Sequence, residues 1–420
     1  MRVLLINTSE RIGGAAVACS RLLEALTNCG VKAKMLVRDK QSDSLSVVTV
    51  GSKWHMKLCF LWERFTIWAA NRFSRKNLFA VDIANAGTDV TRLPEFREAD
   101  VIHLHWVNQG FLSLKQLEKI LASGKRVVWT MHDMWPSTAI CHHARQCTRY
   151  RELCHHCPYL QGGGSATDLS YHTFLRKQQM FRGHRVSLVA CSHWLEGLAK
   201  QSALLKEQHI TSIPNPLNTR LFKPNNPDEA RTRLQLPLEK RLILFGSVKI
   251  TDKRKGIDYL IEACRLLAEN HPQLREQLGV VVFGNGSEQL AALLPFPVYA
   301  VGYLSEEARL VDVYNAVDLF VTPSLEENLP NTIMEAMACG TPCVGFQIGG
   351  IPEMIDHGEN GYVAEYKSSE DFARGIHTLL SAPNYSELCR QAVRKVVTHY
   401  SEDAVARRYI QLYAQGSLQT

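Results

Sequence analysis

No stretch of this 420-residue chain approaches the ~18 uncharged apolar residues of a membrane-spanning helix, so none is expected. Internal repeats and low-complexity tracts are also missing, which argues against a solenoid or a disordered scaffold. The three-glycine spacing of a dinucleotide fingerprint and its following acid are not evident, which argues against a nicotinamide oxidoreductase or epimerase. Charged residues make up only 21% against 45% apolar, the balance of an ordinary globular protein. Cations exceed acids by seven, an excess that fits an anionic substrate or lipid headgroups as well as nucleic acid. The apolar part of Met1 to Asn7 is too short for a signal peptide and reads as a first strand. The 12 cysteines are then expected as reduced thiols or metal ligands, in the cytoplasm.

What is present is alternation. Strand-like apolar runs and helical patterns take turns, as in an α/β protein. Strands are expected at Val3–Asn7, Ala33–Val37, Val101–His105, Val127–Met131 and Ser187–Cys191. A second series follows at Leu242–Phe245, Val280–Phe283, Val298–Val301, Leu319–Thr322 and Cys343–Phe346. Between them, Ile213-Pro214-Asn215-Pro216 breaks both periods and reads as an extended connector. This predicts one domain over 1–214, a linker over 214–224 and a second domain over 225–400.

The stretch from Thr322 to Gly345 is the most informative. A buried strand ends at Pro323, a loop carries Glu326 and Glu327, and a helix opens near Asn331 and closes at Gly340. Unpaired amides at a helix start suit a phosphate, and Glu327 and Glu335 would flank it with acceptors suited to sugar hydroxyls. A diphosphate between two polyols is the outline of a nucleotide sugar. Upstream, Gly246 ends a strand before the cationic loop Lys249, Lys253, Arg254, Lys255 and Gly256, which suits a pyrophosphate leaving group. Gly284 and Gly286 end a strand in a turn that allows close backbone approach.

The run Glu327 to Glu335 continuing Ala336-Met337-Ala338-Cys339-Gly340 resembles the signature of glycosyltransferase family four, retaining enzymes of the GT-B fold. The resemblance covers nearly the whole chain and is weakest from about 45 to 95. It implies two doubly wound Rossmann-like domains facing across a cleft, with the final helix, 402–416, crossing back onto the first. Donor contacts are expected at Gly13, Gly14, Gly246, Arg254, Lys255, Gly284, Leu329, Pro330, Asn331, Thr332 and Glu335. Glu327, His132 and Lys255 are the expected catalytic residues, and no metal is needed for the chemistry. Two positions depart from the pattern. Ser247 stands where relatives carry Arg, and Asn328-Leu329-Pro330 replaces a Gly-Phe-Gly type loop, so the donor sugar is not carried over.

The expectation is a retaining transfer from a nucleotide sugar to a glycan or lipid-linked oligosaccharide, with surface polysaccharide assembly as the role. A catalytically silent nucleotide-sugar binder is the alternative; no nucleic-acid partner is expected. Cys141, Cys147, Cys154 and Cys157 read as candidate ligands of a structural zinc, with plain thiols or a redox pair as alternatives. Residues 54–76 carry Trp54, Leu58, Leu61, Phe65 and Trp68 at helical spacing among basic residues. That stripe either packs into the first domain or touches the inner face of a membrane.

Overall fold

Val3, Leu4, Leu5 and Ile6 are all buried, so both faces of one strand are covered, as in a parallel sheet with helices on each side. The computed structural model describes residues 1–304 and 306–415, apart from the side chains of Val248, Lys249, Ser287 and Gln289. Contacts divide the chain into two units, Met1–Pro216 together with the segment from Val405, and Leu217–Ala404.

The first unit holds β1 (Arg2–Ser9), β2 (Lys32–Asp39), β3 (Val47–Thr49), β4 (Val101–Leu104), β5 (Arg126–Met131), β6 (Ser187–Ala190) and β7 (His209–Ser212). Their order is β3-β2-β1-β4-β5-β6-β7, and every pairing is parallel. The second holds β8 (Arg241–Lys249), β9 (Leu278–Asn285), β10 (Val298–Gly302), β11 (Leu319–Thr322), β12 (Cys343–Phe346) and β13 (Gly361–Ala364). Here the order is β10-β9-β8-β11-β12-β13, again all parallel. Both are doubly wound, Rossmann-like sheets. In such sheets the order reverses beside the first strand and leaves a crevice at the carboxyl ends. Those crevices fall between β1 and β4 and between β8 and β11.

The ten expected strands are all present. The three not anticipated, β3, β7 and β13, are each at a sheet edge. They are short and only partly covered, so they lack the continuous apolar run that marks a central strand. The connector also differs from expectation, because residues 217–224 belong to the second unit. Leu217 and Phe222 are buried, and the Leu217 amide donates to the Tyr400 carbonyl at 2.8 Å.

The last helix, Glu402–Ala414, completes the first unit's core. Val405, Tyr409, Leu412 and Tyr413 pack with Leu5, Leu22, Val128 and Val189. Two hydroxyls fix its rotation: Tyr413 lies 2.7 Å from His103 Nδ1, and Tyr409 lies 2.9 Å from Thr130 Oγ1. Replacing the buried Tyr409 with Ala is expected to destabilise the first unit by about 3–5 kcal/mol, the range for deleting a buried aromatic. Urea unfolding followed by fluorescence checks this; a loss under 1 kcal/mol would mean the helix is only loosely attached.

Candidate functional site

At the crevice of the second unit, β8 leads to a turn whose conformation is set locally. The Asp252 carboxylate caps Lys253–Lys255 by accepting from the Arg254 amide at 3.0 Å, and Gly256 follows in a left-handed conformation, φ 68°. A Cβ on Gly256 would stand 1.9 Å from the Pro323 carbonyl oxygen. Only glycine therefore lets the basic turn seat against the loop after β11. The Leu325 amide donates to the Arg254 carbonyl at 2.7 Å and locks the two loops together. The same glycine device works from the other side. Gly349 (φ 59°) would put a Cβ 1.8 Å from the Glu327 carbonyl oxygen, and the Gly350 amide donates to the Asn328 carbonyl at 2.8 Å.

Between these clamps the Lys255 ammonium pairs with the Glu327 carboxylate, both partly buried. Leu329 and Pro330 are buried and lead into the helix Asn331–Ala338, where Pro330 supplies no side-chain cap. Asn331 and Thr332 are half-buried at its start. Glu335 is buried one turn in, and its Oε2 accepts from the Tyr314 hydroxyl at 2.8 Å. Gly246 and Gly284 bring the ends of β8 and β9 together. A Cβ on the first would meet the Phe283 ring at 2.0 Å, and on the second (φ 122°) the Ser247 carbonyl at 1.8 Å.

The sequence reading brought Arg254 and Lys255 to one diphosphate; the structure separates their engagements. Arg254 Nη2 lies 2.7 Å from Asp252 Oδ2, and that hydrogen bond raises its pKa further. Lys255 is the cation on Glu327. The side chain of Lys249 lies outside the described residues.

In the first unit, Gly13 (φ 93°) and Gly14 follow β1 and open the helix Gly14–Asn28; both are exposed. His132 and Asp133 follow β5. His132 Nε2 is 3.0 Å from His105 Nδ1, and its Nδ1 is 3.5 Å from Cys191 Sγ. Behind them is a buried charge chain that sequence reasoning missed. Asp133 accepts from Trp106 Nε1 at 2.9 Å, the Trp135 amide at 2.8 Å and His142 Nδ1 at 2.7 Å. His142 Nε2 donates to Asp82 at 2.6 Å, and Asp82 pairs with Arg64. Burial pulls His142 down, yet the two carboxylates outweigh it and hold its pKa up at about 10. Burial opposes ionisation of Asp133, but His142 holds it down at about 2. No fixed spacing joins positions 64, 82, 133 and 142, so only the fold could reveal the chain.

The three imidazoles His103, His105 and His132 are kept neutral. Burial lowers His103 to about 3, with His132 adding to it, and lowers His132 to about 4 against the pull of Asp133. Burial also drives His105 well down, and its Nε2 is buried without a partner. Since the unfolded groups titrate near 6.5, acid favours the unfolded chain, which binds protons that the native state refuses. Stability is therefore expected to fall as pH drops below about 6.5, by at most about 1.4 kcal/mol per unit per histidine. Urea titrations at pH 7 and pH 5 test the sign, and a shallower slope in His103→Gln assigns it.

Cys141, Cys147, Cys154 and Cys157 line one small cavity with Tyr150, His155 and Tyr159. Burial pushes the Cys141, Cys154 and Cys157 thiols up to about 12, so they stand protonated at neutral pH without a metal. The donor types suit zinc. As placed, however, no three Cys, His, Asp or Glu among the described residues are grouped to hold an ion.

Two doubly wound units, one with a cation paired to an acid at its switch point, define a two-domain protein of the GT-B fold. Comparison with known proteins places it more closely. Residues 227–396 match the family glycosyl transferases group 1. Among curated relatives, the D-inositol 3-phosphate glycosyltransferase of Thermobispora bispora is 28% identical over 221 residues, 50% of this chain and 51% of the relative. The corresponding protein of Thermomonospora curvata is 32% identical over 46% of this chain and 48% of its own. The chain thus spans about half the length of the curated relatives it matches. Among solved structures, sucrose-phosphate synthase from Thermosynechococcus elongatus shares the fold over 100% of both chains, TM-score 0.67 at 19% identity. Anabaena HepE, solved in complex with UDP-glucose, does so over 100% of both with TM-score 0.64 at 17% identity. The second unit is thus similar to glycosyltransferase group 1 domains, and the fold of the chain is that of its GT-B neighbours.

Proposed function

We propose that this protein is a retaining glycosyltransferase, moving a sugar from a nucleoside diphosphate donor to a growing glycan or lipid-linked oligosaccharide. The observation that carries this is the Lys255–Glu327 pair held between two glycine clamps at the β8–β11 crevice. Two opposite charges kept together and partly desolvated are a preorganised receptor. An arriving diphosphate gives Lys255 a stronger anionic partner and frees Glu327 to accept from the hydroxyls of the transferred sugar. As the glycosidic bond breaks, charge builds on the leaving diphosphate. Lys255 and the amides at Asn331 and Thr332 stabilise it there, where charge is greater than in the bound donor. Glu335, steadied by Tyr314, meets the nucleotide ribose in this reading. The leaving phosphate takes the acceptor's proton, so the anomeric configuration is kept without a covalent protein intermediate.

HepE was solved with UDP, which makes uridine nucleotides the first to try. A thermal-shift panel of nucleoside diphosphates on wild type, Lys255→Ala and Glu335→Ala tests the reading. A ligand at ~100 times its Kd stabilises by about 2.7 kcal/mol. Removal of Lys255 is expected to cost about 1.5–3 kcal/mol of that binding, as for a hydrogen bond to a charged group. Shifts equal in all three proteins would place the nucleotide elsewhere. Binding without sugar transfer to any acceptor would favour the silent binder.

The four cysteines are proposed to close on a structural zinc that fastens the loop after β5, outside the transfer chemistry. Elemental analysis of purified protein is expected to give one zinc per chain, lost in Cys154→Ser with Cys157→Ser; well under one in wild type removes the idea.

A further inference from the structure

The helix Lys53–Ala70 is built inside out. Its inner side carries both of its buried charges. Glu63 accepts from the amides of Ile83 (2.9 Å) and Ala84 (2.7 Å), while Arg64 pairs with Asp82 and donates to the Leu78 and Val81 carbonyls. Met56, Cys59 and Ile67 fill the gaps around them. Its outer side carries the large apolar groups. Trp54 is 73% exposed, Trp62 57% and Phe65 52%, and Leu58 and Leu61 lie between them at helical spacing.

The apolar surface continues past the helix end. Phe73, 66% exposed, packs edge-on against Trp68 at 4.7 Å between ring centres, and Phe79 is also exposed. Every exposed Trp or Phe among the described residues lies between positions 54 and 79. The exposed charges of the same stretch are all positive: Lys53, Lys57, Arg72, Arg75 and Lys76. Its one acid, Glu63, is buried.

We infer that this face docks on an anionic lipid bilayer, with Trp54, Trp62, Phe65 and Phe73 entering the headgroup boundary and the five cations meeting lipid phosphates. Indole and phenyl rings favour that boundary, and neighbouring cations add attraction to an anionic surface. The charge pattern decides between occupants. A second copy would set the same five cations against these five, whereas an anionic membrane complements them. The inner ion pairs hold the helix on its unit, so docking needs no refolding. The inference stands apart from glycosyl transfer, because it rests on residues outside the donor site.

The test is flotation of the full chain with vesicles of phosphatidylcholine alone and of equal parts phosphatidylcholine and phosphatidylglycerol. Binding is expected to the anionic vesicles and to weaken with salt. Lys57→Glu, Arg72→Glu and Arg75→Glu should each lower the partition coefficient by at least about fivefold. Trp62→Glu with Phe65→Ser should abolish binding while unfolding temperature and nucleotide binding hold, since both side chains are exposed. No flotation with anionic vesicles would overturn the proposal. So would light scattering that shows a wild-type dimer which the Trp62→Glu, Phe65→Ser variant dissolves, since a second copy would then be the occupant.

Discussion

The close approach of Gly256 to the Pro323 carbonyl is the contact on which the crevice of the second unit depends. A parallel sheet delivers loop starts side by side at its carboxyl edge, yet β8 and β11 alone leave their loops free to diverge. Removing one Cβ lets the backbones touch, and the Leu325 amide then bonds the Arg254 carbonyl. From that point the cation at 255 and the acid at 327, seventy-two positions apart, have little freedom left. Gly349 repeats the device on the far side of Glu327. Position of charge, which electrostatic stabilisation requires in advance of reaction, here comes from backbone contact rather than from the charges themselves.

The first unit solves the same problem by other means. His132 and Asp133 stand at the end of β5, and their surroundings are ionic and aromatic rather than glycine-rich. Asp133 is held by two tryptophans and by His142, whose positive charge is kept by two carboxylates. Removing either end of such a chain leaves an uncompensated buried charge, which is costly, so it specifies one arrangement more than it stabilises the fold. The neighbouring imidazoles are neutral because they are buried without an acid of their own. Two kinds of histidine thus lie within one cluster, set apart by whether a carboxylate accompanies the burial.

Much of the architecture was legible in the sequence. Central strands bury both faces and so announce themselves as apolar runs, and the Glu327–Gly340 register survives as a local word. Edge strands β3, β7 and β13 carry no such signal because one side meets solvent. The acids and cations of the loop after β8 could be counted but not sorted. Nothing in Lys253-Arg254-Lys255 says that Arg254 turns back to Asp252 while Lys255 faces Glu327. The turn geometry makes that choice, and it depends on Gly256 meeting a carbonyl far along the chain.

The helix Lys53–Ala70 shows a different limit. Period tells that a helix has two faces, and composition then suggests that the apolar face is the inner one. Here that inference inverts, because Glu63 and Arg64 are buried and Trp54, Trp62 and Phe65 are not. Burying Glu63 and Arg64 is tolerable only because Asp82 and two backbone amides answer them. Those partners come from the segment Asp82–Ala84, so the inner face could be read only once that segment was placed. A helix anchored from its inner side by these ion-pair and amide contacts does not need its apolar side for folding. Apolar surface retained under those conditions needs an occupant outside the fold, and the all-positive rim narrows what that occupant is.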